Sequence, residues 1–261
     1  MPNDPVGRRV AVVTGATRSL GREVARGLVA RNFDVVTCAL GDAVPGVGEA
    51  LHQRVDLRDP SAVGRFAAAI RARFGRVDAV VNNAGFVPAV APLPESSFED
   101  AERTFATNVL GPISLLRETL PLLVAAPGGG VVVNVASRAA LTPVPGLASY
   151  SASKSALVAL TLDLAKENPE DRLWCAAVCP GGLNTEMRAK LYGAEDARQQ
   201  LLPEVVARVI VEIVADRTVG GTRFRSGSAV LVTKEGGASV VEWPPDVRGH
   251  ATLEWHSTAK G

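Results

Sequence analysis

At 261 residues, 47% of them hydrophobic, the chain is long enough to bury a full core and ordinary in size for one α/β domain. A formal net charge of +1, with Lys and Arg dispersed rather than clustered, supplies no field for nucleic acid. Three cysteines without metal-ligand spacing and only three histidines, His52, His250 and His256, argue against a metal site or a histidine triad, and no apolar stretch reaches the ~20 residues of a membrane span, so a metal-free cytoplasmic protein is expected.

Residues 1–8 hold two prolines and no periodicity and read as a disordered tail; residues 9–242 read as a single domain. From Arg9 the order is a short apolar strand, a glycine-bearing turn, and an amphipathic helix carrying Leu20, Val24, Leu28 and Val29. Such a turn aims backbone N–H groups and the positive end of a helix at an anion, typically a pyrophosphate. Strands follow at 33–39 and 52–55, then a helix at 60–74 and a strand at 77–81 closed by Asn82-Asn83-Ala84-Gly85. A proline-rich apolar loop, 86–94, leads to one long helix over about 97–123, with Asn108 in its middle and Pro112 bending it. The turn at 127–130 precedes a strand at 131–136, and a helix bearing Tyr150 ends near Asn168-Pro169. A strand at 173–179 runs into Pro180-Gly181, then come a loop, a helix at 203–215 and a last strand at 229–232. Strands alternating with helices, without repeat or linker, predict a doubly wound α/β fold on a parallel sheet.

Three residues form one device. Ser137 falls at the carboxyl end of an apolar strand, where open α/β sheets bind ligands, while Tyr150 and Lys154, four residues apart, share one helix face about one turn from each other. A free phenol titrates near 10, and an ammonium within a few ångströms lowers that value, which makes the phenol a usable proton donor and acceptor. Alone, the pair is equally what a packed ring and a solvated amine would look like.

Six segments together resemble the short-chain dehydrogenase/reductase family: Thr14-Gly15-Ala16-Thr17-Arg18-Ser19-Leu20-Gly21, Asn82-Asn83-Ala84-Gly85, Asn108, Ser137, Tyr150 to Lys154, and Pro180-Gly181 through Thr185 stand in its order and spacing. The resemblance implies a single-domain Rossmann fold of seven mostly parallel strands and hydride transfer between a nicotinamide cofactor and a carbonyl or alcohol. It implies that Tyr150 is the proton donor in reduction, that Ser137 hydrogen-bonds the substrate oxygen, that Lys154 lowers the phenol pKa and binds the nicotinamide ribose, and that Asn108 holds a relay water. It implies a cofactor site of Gly15, Thr17, Arg18, Ser19, Leu20, Gly21, Asp56 at the adenine, Leu57, Asn83, Ala84, Gly85, Tyr150, Lys154, Pro180 and Gly181, with Leu183 and Thr185 at the carboxamide. Asn108 could instead merely bend its helix, and Asp56 cap the one that follows.

Two departures from the family pattern matter. Ser19 stands where a second glycine is usual, and Ala39 ends the second strand where NAD-preferring members carry an acid. An acid would repel a 2′-phosphate, whereas its absence together with Arg18 favours NADP(H), with NAD(H) still possible. Leu40-Gly41-Asp42 adds no second cation. Phe86, Pro88, Leu141, Val144, Met187, Leu191 and Tyr192 are candidates for a mostly apolar substrate wall under a short lid, 186–202. Apolar residues around two helices, Leu110, Ile113, Leu115 and Leu116 in one, Leu157, Val158, Leu160 and Leu162 in the other, predict a homodimer or homotetramer. The extension 243–261, with Trp243 and Trp255, departs from the family and is expected to pack on the domain or a neighbouring subunit. The leading reading is an NADPH-dependent ketone reductase. An alcohol dehydrogenase working oxidatively and a non-catalytic NADP-binding regulator are the alternatives.

Overall fold

The computed structural model describes residues 7–43, 46–142, 144–235 and 237–241. Residues 1–6 of the expected tail and the whole 243–261 extension therefore lie outside the described residues. Arg8, assigned to the tail from sequence, is anchored instead: its guanidinium donates to the Phe33 carbonyl at 3.0 Å and faces Asp34 at 3.3 Å.

The elements run β1 (Val10–Thr14), α1 (Ser19–Ala30), β2 (Asp34–Ala39), β3 (Leu51–Arg54), α2 (Pro60–Phe74), β4 (Ala79–Asn82), α3 (Phe98–Phe105), a π-helical turn (Ala106–Leu110) and α4 (Gly111–Val124). They continue with β5 (Gly130–Val135), α5 (Ala148–Glu167), β6 (Leu173–Pro180), α6 (Glu186–Tyr192), α7 (Ala194–Arg198), α8 (Pro203–Asp216), β7 (Thr218–Val219), β8 (Thr222–Arg223), β9 (Ser228–Thr233) and β10 (Gly237–Val241). The main sheet has the order β10-β9-β6-β5-β4-β1-β2-β3 and is parallel except for β10. Apolar side chains alternate between its faces. Ala11, Val13, Val35 and Val133 meet α1 and α8 through Val24, Leu28, Ile210 and Ile213, while Val10, Val12, Val36 and Val132 meet α2 and α4 through Phe66, Ile70, Leu115 and Leu123. Burying each such side chain is worth roughly 1.5–3 kcal/mol, so the doubly wound architecture follows from the alternation.

Three expectations need correction. The sheet has eight strands, not seven, because β10 folds back antiparallel on β9 with Gly237 opposite Thr233. Gly237 takes φ +65, a conformation glycine supplies without strain, and the charged Lys234-Glu235 before it obscured that signal in the sequence. The helix expected over 97–123 is two α-helices joined by the π turn, in which the Gly111 N–H reaches the Ala106 carbonyl. Pro112 sits in the first turn of α4; having no N–H, it cannot close the α-helical bond to the Asn108 carbonyl. The lid, read from sequence as a loop, contains α6 and α7.

The apolar residues expected to call for a partner subunit divide. Leu115, Leu116, Leu157 and Val158 are covered by the chain's own core, whereas Leu110 is exposed and Ile113, Leu160 and Leu162 are half-buried. Among the described residues no helix is long and apolar enough to cross a membrane.

Candidate active site

The carboxyl ends of β1, β4, β5 and β6 gather the chemistry. β1 ends at Thr14, whose hydroxyl accepts the N–H groups of Asn83 and Ala84, each at 3.0 Å; the Asn83 amide donates back to the Thr14 carbonyl at 2.9 Å and the Gly15 carbonyl at 3.2 Å. The Gly15 N–H donates to the Cys38 carbonyl at 2.7 Å, so the turn after β1 is latched to both neighbouring strands. Gly15 has φ +67, and a Cβ there would stand 2.9 Å from the Ala84 Cα; at Gly21 it would stand 2.3 Å from the Gly15 oxygen. Ser19 adopts φ +45, which explains the usual glycine at its position better than close approach to phosphate does.

Helix α1 begins at this turn with no side-chain cap and no acid in its first turn, in contrast to α2, capped by Asp59, and α3, capped by Ser97. Its first N–H groups are thus oriented for an anion rather than for a side chain of the protein. A dinucleotide pyrophosphate fits this cradle. Thr17 and Arg18 flank it, and Arg18 faces Glu186 of α6 at 3.6 Å, both exposed.

Farther along the rim the Asp56 carboxylate is engaged by Arg58, which donates from Nε at 3.0 Å and Nη2 at 2.6 Å; this pairing holds Asp56 below the usual carboxylate range. Leu57 is buried against Gly111.

The deep corner is built from three elements. Ser137 follows β5 in extended backbone, and its hydroxyl accepts the Ala139 N–H at 3.1 Å. Tyr150 lies in the first turn of α5 and Lys154 one turn later, its ammonium donating to the Val135 carbonyl at 2.8 Å and standing 5.7 Å from the centre of the Tyr150 ring. A Cβ on Gly85 would lie 3.4 Å from the Asn108 Oδ1 and 3.5 Å from the Lys154 Nζ, so the loop after β4 roofs both residues. Asn108, fully buried in the π turn, accepts the Phe86 N–H at 2.7 Å and donates to the Phe86 carbonyl at 2.9 Å and the Ser153 hydroxyl at 3.0 Å. Ser153 donates in turn to the Tyr150 carbonyl at 2.7 Å.

The electrostatics differ from expectation. Burial pushes the Tyr150 phenol above its ordinary value, and the hydrogen bond with Ser137, not the ammonium, pulls against that rise. Burial lowers Lys154 to about 8, and its Nζ turns to a carbonyl because a desolvated ammonium needs an acceptor.

A profile of the short chain dehydrogenase family matches residues 9–196. The chain belongs to that family. It is 31% identical to 2-(R)-hydroxypropyl-CoM dehydrogenase of Xanthobacter autotrophicus, over 77% of this chain and 85% of that one. It is 27% identical to a benzil reductase ((S)-benzoin forming) of Saccharomyces cerevisiae, over 75% and 77%. It spans 45% of the length of a third relative, an uncharacterised short-chain type dehydrogenase/reductase of Sinorhizobium fredii, at 31% identity. A 3-ketoacyl-(acyl-carrier-protein) reductase from Brucella melitensis, complexed with NADH, superposes with a TM-score of 0.78 at 26% identity, covering 87% of this chain and 97% of that one. The protein is an NAD(P)(H)-dependent oxidoreductase.

In this dehydrogenase the strand β6 ends at Pro180, and the Gly181 N–H donates to the Val232 carbonyl at 2.8 Å. Leu183 pairs with Leu201, and the Thr185 hydroxyl, expected at a carboxamide, caps α6 by accepting the Arg188 N–H at 3.2 Å. Arg188 forks onto Asp196 of α7 and stacks 4.6 Å over Tyr192, whose phenol is near enough to Tyr150 for the two to influence each other. Of the other wall candidates, Pro88 is buried, Phe86, Leu141, Val144 and Leu191 are half-buried, and Met187 is exposed. Ser153 was missed from sequence: one serine among several in SYSASKS carries no signal until Asn108 is found against it.

Proposed function

We propose that the dehydrogenase reduces a ketone with NADPH. The observation that carries this reading is the convergence of Ser137, Tyr150 and Lys154 at the sheet's carboxyl edge, under Gly85 and beside an α1 amino terminus without a side-chain cap. The nicotinamide, when bound, supplies the hydride that goes to the carbonyl carbon. Ser137 donates a hydrogen bond to the carbonyl oxygen, and Tyr150 transfers its proton to that oxygen. Lys154, as an ammonium below pH about 8, stabilises the phenolate left behind. Asn108 acts through its backbone carbonyl, because its amide is engaged by Phe86 and Ser153.

Ala39 and Arg18 support NADP(H) over NAD(H), and the Phe86, Leu141 and Met187 wall supports an apolar ketone. Leu93, Phe98, Phe105 and Leu110, all exposed along the α3–α4 side, support a homodimer or homotetramer, and three free buried thiols support a cytoplasmic location. The test is a panel of diketones, aryl ketones and 3-ketoacyl thioesters, followed by loss of NADPH absorbance. Turnover of alcohols with NADP⁺ but of no ketone with NADPH would assign the oxidative direction, and no turnover in either would favour a binding protein.

A further inference from the structure

We infer that Arg54, on β3, is the second cation that reads a cofactor 2′-phosphate, gripping it from the side of β2 opposite Arg18. This rests on the NADP(H) reading above and names a residue that the local sequence around Ala39 does not supply. In the sheet, β2 lies between β1 and β3, so anything held at the carboxyl end of β2 is flanked by the turn after β1 and by the end of β3. The adenosine ribose of a dinucleotide binds at that end in folds of this class.

The parallel register sets Arg54 opposite Ala39 and His52 opposite Thr37, and side chains two apart on a strand share a face. Both then fasten the chain as it leaves β2. The His52 ring lies between the Thr37 hydroxyl, 2.8 Å from Nδ1, and the Gly41 carbonyl, 3.0 Å from Nε2. Arg54 donates from Nε to the Leu40 carbonyl at 3.2 Å, which fixes the guanidinium at the residue following β2 and leaves its Nη edge free of that bond. That edge meets Asp42 at 3.8 Å, with side-chain exposures of 69% and 83%. So loose and solvated a contact holds little energy, and a phosphate dianion displaces it readily. Arg58, the other nearby cation of β3's exit, is committed to Asp56 through two donors. Ala39 removes the acid that would repel the phosphate, and Arg54 supplies the charge that replaces it.

The test measures binding alone, by calorimetry of the full chain with 2′,5′-ADP and with 5′-ADP. Arg54→Ala is expected to weaken 2′,5′-ADP by ~10-fold or more while leaving 5′-ADP within about 2-fold, and Arg54→Lys to recover part of the loss. Asp42→Asn is expected to tighten 2′,5′-ADP several-fold by removing a neighbouring negative charge. Arg54 is exposed, so matching thermal melts will show that these variants fold. If the unaltered chain prefers 2′,5′-ADP and Arg54→Ala keeps that preference, or loses both ligands equally, the assignment of Arg54 is overturned and the NADP(H) reading stands. If the unaltered chain binds the two ligands alike, the NADP(H) reading fails and takes Arg54's role with it.

Discussion

The two ends of the main sheet put buried polar groups to opposite uses. At the amino end Asp78, nearly inaccessible, accepts the Val10 N–H at 2.7 Å and a two-pronged contact from Arg76, and Arg217 donates to the Gly128 and Gly129 carbonyls. A cavity of about 240 Å³ lined by Arg9, Asp78 and Arg217 lies there, and the charges around it are matched by partners within the chain. At the carboxyl end the Lys154 ammonium donates to the Val135 carbonyl, the Tyr150 phenol shares a hydrogen bond with Ser137, and the α1 amino terminus carries no side-chain cap. What distinguishes the candidate site from the brace is a helix amino terminus without a side-chain cap beside a buried phenol and ammonium.

The largest separation of the two ends should come from Tyr150→Phe. The rate is expected to fall by ~10²–10⁴ with NADPH binding and melting temperature nearly unchanged, because the variant keeps the ring and removes the transferable proton. Retention of most activity would end the proposed mechanism. Asp78→Ala should do the reverse, since it removes the buried acceptor of the Val10 N–H and the carboxylate that Arg76 grips; a loss of about 3–5 kcal/mol, read as a midpoint lower by roughly 10 °C, should leave turnover per folded molecule intact.

A smaller effect sharpens the electrostatic side. Lys154 is depressed from 10.5 to about 8 in the folded chain, so between those values the folded state binds fewer protons than the unfolded state, and the penalty for burying the ammonium shrinks as pH rises. Without cofactor, stability should therefore gain about 1 kcal/mol from this group between pH ~7.5 and ~9, and Lys154→Met should abolish that gain in melts across the same range. The smallest effect is expected at the phosphate turn, where Ser19→Gly relieves a left-handed φ and should stabilise the chain by about 0.5–1 kcal/mol. A fall in melting temperature would show that the serine hydroxyl matters more than the strain.

Legibility followed the range of the interactions. Six of the seven parallel strands were readable as mostly apolar runs, β3 (Leu51-His52-Gln53-Arg54) only from its place between β2 and α2, and Ser137, Tyr150 and Lys154 were readable as neighbours from their spacing within one strand-to-helix unit. The β7–β8 hairpin was also local, with Gly220 and Gly221 at φ +58 and +77 as a two-residue turn, and its short strands hid it. Arg54, Ser153 and the clasp of Arg188 on Asp196 were unreadable for a different reason. Each makes its contact with a partner on another element, through strand register, a π turn or the packing of two short helices, and no window of sequence shows the two as a pair.

The clipped ends of the lid have an evolutionary consequence. The Asn184 N–H donates to the Leu201 carbonyl at 2.8 Å and the Leu201 N–H to the Gly182 carbonyl at 3.1 Å, so the segment between leaves and re-enters the body of the protein at a single point. Closing a loop whose ends are already joined depends only weakly on its length, about 0.6 kcal/mol for each doubling. The segment carrying Met187, Leu191 and Tyr192 is therefore a replaceable cassette. Its length and sequence can change while the sheet and the corner that holds Ser137, Tyr150 and Lys154 stay as they are.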